Sequence, residues 1–191
     1  MNSRQQAGIV LAATFVYALI RYVLLHDVVW ANVPLFILNK SVSWSGVIFF
    51  GMSLLSREKP ARRYFGTLSV VAIAAHLLMS LMVLNPSYFA KFYGPDGQMN
   101  GVGELSMLAG VVGTLFLGGL FYLNLNGGAV SGSSLRTGWG RLVLWCAAFH
   151  VAIMGYNSWL APMSWYGYLP PITLLSFLTS ILILVLRQRR N

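Results

Sequence analysis

Six long apolar stretches joined by short polar links decide what this chain can fold into. A helix of about 20 apolar residues spans the hydrocarbon core of a bilayer, which is about 30 Å thick. Such stretches occupy approximately residues 7–30, 35–56, 64–85, 104–123, 141–161 and 170–187. Because they take up most of the 191 residues, no soluble domain fits beside them. The sequence predicts a single-domain, all-α membrane protein, a bundle of six transmembrane helices in the lipid bilayer.

The positions of the basic residues predict the orientation of the bundle. A net charge of +9 is compatible with nucleic-acid binding, but Lys and Arg stand at the ends of the apolar stretches, as the positive-inside rule describes. With the N-terminus in the cytoplasm, ten of them lie inside and only Lys40 and Lys91 lie outside. We therefore expect cytoplasmic N- and C-termini, no nucleic-acid partner, and a multi-pass protein of a bacterial inner (plasma) membrane.

An ionisable side chain lies deep in the third stretch. Arg62-Arg63-Tyr64-Phe65-Gly66 marks the cytoplasmic edge of this stretch. A helix rises about 1.5 Å per residue, which places His76 about 20 Å beyond Arg63, inside the hydrocarbon layer. An ionisable group at that depth costs at least a few kcal/mol when charged, so it is usually neutral and bound to something. His76 is therefore a candidate functional residue.

A second histidine lies at a similar depth in the fifth stretch. His150 is about 14 Å past Arg141, and a helix tilt of about 20° absorbs the remaining difference of about 6 Å from His76. Two neutral imidazoles on separate helices can bind one iron from both sides of a porphyrin. The alternative is that each histidine only hydrogen-bonds a neighbouring helix. Zinc is disfavoured, because it normally takes four ligands and no third or fourth strong donor lies at that depth.

Small residues surround both histidines on their helical faces and leave room for a flat ligand. Small residues also recur at four-residue spacing in the fourth stretch, where they allow close approach of either a neighbouring helix or a flat ligand. The residues near the histidines are Ala72, Ser80, Cys146 and Ala147, and those of the fourth stretch are Ala109, Gly110, Gly113, Thr114 and Gly118.

Two further groups lie in the outer half of the first stretch. Arg21 is buried and needs an anion, which is either a haem propionate or, if the side chain snorkels outward, a group at the interface. His26, next to Asp27, is either an interfacial residue or part of a site that holds an oxidised substrate or a metal ion above the haem.

Basic residues at the cytoplasmic edge, including Arg62, Arg63 and Arg141, have two interpretations. They either anchor the helices against anionic lipid, or they bind the phosphates of a flavin or dock a flavoprotein that delivers electrons. No Gly-x-Gly-x-x-Gly or Walker motif is present, so the sequence predicts no nicotinamide-binding domain in this chain.

Prolines and polar residues predict several helix ends. Pro60 follows a charged segment and is expected to stop the second helix. Pro170 and Pro171 are expected to occupy the first turn of the sixth helix, where a proline costs no hydrogen bond. Asn39 and Lys40 leave the start of the second helix uncertain by several residues.

The loop at residues 87–103 combines aromatic residues with a turn signal. Gly94-Pro95-Asp96-Gly97 is typical of a β-turn with proline in the second position. The aromatic residues form either an interfacial belt or a lid over a site. They are Tyr88, Phe89, Phe92 and Tyr93.

Several segments resemble those of a group of membrane oxidoreductases. Arg62-Arg63-Tyr64-Phe65-Gly66 leading to His76 resembles the third span of ferric-reductase-like membrane domains, which include NADPH oxidases, haem subunits of bacterial sulfoxide-reductase systems and STEAP metalloreductases. The resemblance covers approximately residues 62–186. The segments that resemble the fifth and sixth STEAP spans are Gly140-Arg141-Leu142-Val143, Phe149-His150-Val151, Gly155-Tyr156-Asn157-Ser158-Trp159 and Trp165-Tyr166-Gly167-Tyr168-Leu169-Pro170-Pro171.

This resemblance implies one haem b with His76 and His150 as its two iron ligands. It implies electrons from a cytoplasmic reduced flavin (FAD or FMN), a flavin reductase or a flavoprotein, an external acceptor such as ferric or cupric ion, and a homotrimer. Two-haem relatives carry a second histidine where this chain has other residues, so the resemblance implies a single haem. Those residues are Phe89, Ala90, Pro162 and Met163.

Two other functions stay open at this point. The first is a haem-anchor subunit that exchanges electrons with a quinone and a partner oxidoreductase. The second is a small transporter or scaffold without a cofactor, in which the histidines pack helices or relay protons. The chain lacks the dinucleotide-binding domain of most STEAP enzymes, which leaves the electron donor open.

Overall fold

A computed structural model describes residues 1–26, 28, 30–125 and 133–189, with side chains in the last range described from Thr137 onward. Six helices in these ranges are long and apolar enough to span a membrane, as the sequence predicts. Within the same ranges the only β-type pairing is an isolated bridge between Tyr93 and Met99. The protein is therefore a multi-pass membrane protein with an all-α fold. Asp27 lies outside the described residues.

The spans agree with the predicted stretches to within a few residues at most ends. Short π-helical or 3-10 turns extend α1 and precede α2, and a short helix, α4, lies in the loop after α3. The helices are α1 Ser3–Leu19 with the π turn Ile20–Leu24, α2 Leu38–Leu55 preceded by Trp30–Asn32 and Val33–Ile37, α3 Lys59–Met82, α4 Pro86–Phe89, α5 Gly101–Leu125, α6 Ser133–Trp159 and α7 Ile172–Gln188.

Three predictions about helix ends need correction. Helix α2 ends at Leu55, next to the predicted Ser56, but Pro60 does not stop it and lies instead in the first turn of α3, where the missing N–H would have no helical partner. Pro171 is the residue that precedes α7, so both Pro170 and Pro171 lie outside the helix. The first span ends at Leu24 rather than near residue 30, because the chain leaves the helix through a π turn closed by the bond from Leu25 N to Ile20 O.

Helix α2 is at the centre of the bundle and packs against α1, α3 and α7, while α6 packs between α5 and α7. The contact between α3 and α5 is much smaller than the contacts of either helix with its main neighbour. Phe49 and Phe65 stack at a centroid distance of 6.3 Å and fix α2 against α3. The space left between the α2–α3 pair and the α5–α6 pair is where the candidate site lies.

Small polar residues join the first three helices. Thr14 and Ser45 hydroxyls are 2.7 Å apart between α1 and α2, and Ser69 on α3 donates to the carbonyl of Gly46 on α2 at 2.9 Å. Small residues and interhelical hydrogen bonds of this kind stabilise helix packing in lipid, where apolar burial gives little driving force. They hold α3, and with it His76, at a fixed position beside α2.

The two ends of the bundle differ in chemistry. One end, which we call the basic end, carries the α2–α3 link and the start of α6, and the sequence predicts that it is cytoplasmic. The other, the aromatic end, carries the loop between α3 and α5 and the short turns before α7. The predicted turn is confirmed there, because Gly97 N donates to Gly94 O at 3.0 Å. This loop folds against the aromatic end, with Phe92 only 2% exposed.

Candidate cofactor site

A cleft lies within the bundle and is lined by residues of α2, α3, α5, α6 and α7. The space inside it and at its open side together amounts to ≈ 1430 Å³, a volume that includes open solvent. Its wall is mostly apolar, with a small number of polar side chains, which is the usual composition of a cofactor pocket. His76 and His150 are both part of this wall.

The structure brings His76 and His150 together across the cleft, with ring centroids 6.4 Å apart. A bond between a metal ion and an imidazole nitrogen is about 2 Å long, so two rings that share one metal have centroids about 6 Å apart. The planes of the rings are inclined by 73°, which is acceptable because ligand rings can be twisted about a shared axis through the metal. The observed separation therefore matches that of two axial ligands.

His76 is held by a hydrogen bond to α2. Its Nδ1 lies 2.6 Å from Oδ1 of Asn39, which is only 5% exposed. The amide nitrogen of Asn39 donates to the Ser80 hydroxyl at 3.0 Å, so both ends of the amide have a partner. Since Oδ1 only accepts, Nδ1 of His76 carries the proton. The lone pair of the neutral ring is consequently on Nε2.

His150 is held in the same way by α5. Its Nδ1 lies 2.7 Å from the backbone carbonyl of Ser106, a fully buried residue. A carbonyl oxygen can only accept, so Nδ1 of His150 also carries the proton and Nε2 carries the lone pair. Metal-binding histidines usually donate their second nitrogen to such an acceptor, which fixes the tautomer and the ring orientation. Both histidines thus have the tautomer that a metal ligand requires.

The wall beside His150 is flat because it contains a glycine. A Cβ added to Gly110 on α5 would lie 3.1 Å from Nδ1 and 3.3 Å from Cε1 of His150. Gly113, one turn further, lies against Cys146 in a similar way. The small residues that the sequence singles out in this helix therefore allow α5 to approach the histidine-bearing face of α6.

We expect a larger residue at Gly110 to displace the His150 ring. Gly110→Val should lower the amount of ligand bound at the histidine pair at least several-fold, because overpacking of this size usually costs about 1–3 kcal/mol. Gly118→Val is the matched control, since a Cβ at Gly118 meets nothing within 4 Å. Haem content per purified chain is the measurement, and an equal loss in the two variants would contradict this role of Gly110.

Arg21 lies next to the cleft but is not among the residues that line it. It is 3% exposed, and its Nε donates at 3.0 Å to the carbonyls of both Leu169 and Pro170. Its Nη1 is buried without a hydrogen-bond partner among the described residues. Binding of a propionate by Arg21 stays a prediction, because the contacts that the structure shows connect this side chain to the segment before α7.

His26 lies at the exposed surface of the aromatic end. Its ring stacks on Tyr166 with a centroid distance of 3.5 Å and an interplanar angle of 13°. Tyr166 in turn lies under the Arg21 guanidinium, whose Cζ is 4.9 Å from the ring centroid. His26 is therefore connected to Arg21 through one aromatic ring and is not part of the histidine pair.

The loop between α3 and α5, which carries the aromatic residues singled out in the sequence, contributes to the wall of the cleft. Phe89 and Phe92 are among the residues that line it, and their rings stack at a centroid distance of 5.7 Å. Tyr88 instead donates to Asn32 at 3.1 Å. Of the two interpretations drawn from the sequence, the lid over a site agrees with the positions of Phe89 and Phe92.

Arg62, Arg63 and Arg141 are exposed at the basic end, far along their helices from the histidines. Arg187 lies beside Gly140 at the same end, and its Nη1 is buried without a hydrogen-bond partner among the described residues. The structure thus leaves the predicted flavin-contacting residues exposed at one end of the bundle. Their binding of a flavin or a flavoprotein stays a prediction.

Two contacts of the site were not predicted. The sequence indicates Asn39 only as a residue near the start of α2, although it lies 17 residues, or about 26 Å of helix, from Ser56 at the basic end, a depth comparable with the about 20 Å of His76. Comparing the depth of Asn39 with that of His76 is the sequence signal that points to this contact. Ser106 acts through its backbone carbonyl, for which the sequence carries no side-chain signal.

The chemistry of the donor set fits a haem better than a metal ion alone. Among the described residues, no group of three or more His, Cys, Asp or Glu side chains could hold a metal ion. Two imidazoles with ring centroids 6.4 Å apart in an apolar cleft would provide two ligands for an iron whose other ligands belong to a macrocycle. Comparison with protein-family models and with curated proteins gives no match for this chain.

Proposed function

We propose that the chain is a transmembrane b-type haem protein that carries single electrons across the membrane. The observation that supports this most directly is the pair of neutral imidazoles, His76 and His150, 6.4 Å apart in an apolar cleft. The resemblance to STEAP-like metalloreductases and to the wider ferric-reductase-like group is part of the proposal. It suggests a bacterial plasma membrane and a homotrimer.

The roles of the side chains follow from their positions. His76 and His150 would bind the iron through Nε2, while Asn39 and the Ser106 carbonyl orient the rings through Nδ1. Gly110 provides space beside His150, and Phe89 and Phe92 exclude water at the aromatic end. The bound haem supplies one-electron chemistry, with a potential set by its axial ligands and their hydrogen bonds.

The proposed direction of transfer is the one that the resemblance implies, and the basic residues give the orientation of the two ends. A reduced flavin, FAD or FMN, or a flavoprotein would dock at the basic end through residues such as Arg62, Arg63 and Arg141. The acceptor at the aromatic end is ferric or cupric ion. Each two-electron-reduced flavin gives one electron in each of two transfers and reduces two ferric ions to ferrous, or two cupric ions to cuprous.

An optical spectrum tests the haem assignment. Protein purified from haem-sufficient cells should show a Soret band, a reduced-minus-oxidised spectrum of a six-coordinate low-spin b haem, and one haem per chain by pyridine haemochrome. A correctly folded preparation without Soret absorption would contradict the proposal and favour a transporter or scaffold without a cofactor.

Electron transfer is tested separately, with the purified haem-loaded protein. Reduced FAD or FMN should reduce the haem, and a ferric chelate should then reoxidise it in a stopped-flow measurement. A haem that is instead reduced by a quinol, and not by reduced flavin, would show that the chain is an anchor subunit exchanging electrons with a quinone. Quinol reactivity would leave the haem assignment intact.

A further inference from the structure

One cation belongs to the wall of the cleft. Lys40 lies on α2 directly after Asn39, the residue that binds His76, and both residues line the cleft. The sequence assigns Lys40 to the outer side, near the uncertain start of the second stretch, and the structure includes it in a membrane-spanning helix. A charged ammonium at such a position is costly and needs a partner.

Aromatic rings hold the Lys40 ammonium in place. Its Nζ lies 4.3 Å from the ring centroid of Phe36 and 4.9 Å from that of Tyr22. The Arg21 guanidinium lies 4.7 Å from the centroid of the same Tyr22 ring. Tyr22 thus contacts two cations, and it also lines the cleft.

The charges acting on Lys40 are all positive among the residues that the structure describes. They come from the neighbouring cations Lys91 and Arg21. Lys91 has its own partner, because its ammonium donates to the backbone carbonyl of Met154. Arg21 uses Nε on two carbonyls. Among the residues that the structure describes, Lys40 is therefore the cation of this cluster that lies in the cleft wall and has aromatic rings as the contacts of its ammonium.

We propose that Lys40 binds an anionic carboxylate of the molecule in the cleft, so that this molecule lies with its carboxylates toward the aromatic end. The inference rests on the proposed haem function, since a haem carries two propionates on one edge of an otherwise apolar ring. A charge-assisted hydrogen bond in a site of low dielectric constant is stronger than a neutral one. Lys40 thereby determines which edge of the macrocycle faces each end of the bundle.

A chemical modification of the ligand tests this directly. Apoprotein is reconstituted with haem or with haem dimethyl ester, in which both carboxylates are uncharged, and dissociation constants are compared. The unsubstituted protein should bind haem about tenfold more tightly than the ester, since the ester cannot accept a charge-assisted bond. In Lys40→Met this preference should disappear, and in Lys40→Arg, which retains a cation, it should persist.

The outcomes separate this inference from the proposed function. Equal affinity of the unsubstituted protein for haem and for the dimethyl ester would overturn the role of Lys40 and leave the haem assignment intact. The same conclusion would follow if Lys40→Met preferred haem to the ester as strongly as the unsubstituted protein does. Binding of neither compound would contradict the haem assignment itself. Arg21→Met is the comparison variant, and loss of the preference there but not in Lys40→Met would assign the carboxylate to Arg21. Should Lys40→Met not purify as a monodisperse protein, Lys40→Gln replaces it.

Discussion

Replacing either His76 or His150 with alanine is expected to abolish the low-spin haem spectrum. Each variant removes one of the two residues proposed to hold the iron, and the single imidazole that remains cannot supply both ligands. Loss of a residue that only orients a ligand typically costs about 10–100-fold in metal affinity, so loss of the ligand itself should cost more than that. Haem content per chain and the reduced-minus-oxidised spectrum are the measurements.

The chain offers a matched control for these variants. His26→Ala removes the third histidine, which stacks on Tyr166 at the surface and does not contact the pair. This variant should retain full haem content and an unchanged spectrum. Imidazole added to His76→Ala or His150→Ala should restore part of the low-spin signal, because it can occupy the space of the missing ring. An unchanged low-spin spectrum in either alanine variant would contradict the ligand assignment.

The fold could be predicted largely from the sequence because lipid imposes a simple rule. Every backbone polar group in the hydrocarbon layer needs an internal partner, so apolar stretches of the right length must be helices. The ends of the helices were harder to predict, because they depend on local geometry. Pro60 illustrates this, because a proline can either stop one helix or stand in the first turn of the next. Only the observation that Glu58 is the N-cap residue of α3 distinguishes the two cases.

The candidate site could be predicted in part, for a related reason. The depth of His76 and of His150 follows from helix rise and the nearest arginines, and the structure places the two rings across one cleft, as expected. The rotation of each helix about its own axis does not follow from the depth of its residues in the membrane. For that reason the contacts that depend on rotation, such as Asn39 with His76 and Lys40 with Tyr22, were not predicted.

Changing Asn39 should move the midpoint potential of the haem in a direction that depends on the substituent. An acceptor on Nδ1 makes the imidazole a more basic ligand, which stabilises ferric more than ferrous iron and lowers the potential. Asn39→Leu removes the acceptor 2.6 Å from His76 and should raise the potential, with haem affinity falling about 10–100-fold. Asn39→Asp, measured above neutral pH, supplies a carboxylate and should lower the potential.

The opposite signs of these two shifts distinguish ligand tuning from general damage to the bundle. Each should be on the order of 50 mV, because a tenfold change in relative stability of the two oxidation states corresponds to about 59 mV for one electron. Ser80→Ala is the comparison variant, since it removes the contact on the amide nitrogen of Asn39 and the longer 3.4 Å contact with Nδ1 of His76 but leaves the Oδ1 acceptor in place. Spectroelectrochemical titration of the three variants is the measurement. Shifts of the same sign in Asn39→Leu and Asn39→Asp would show that Asn39 does not act on the iron through the Nδ1 proton of His76.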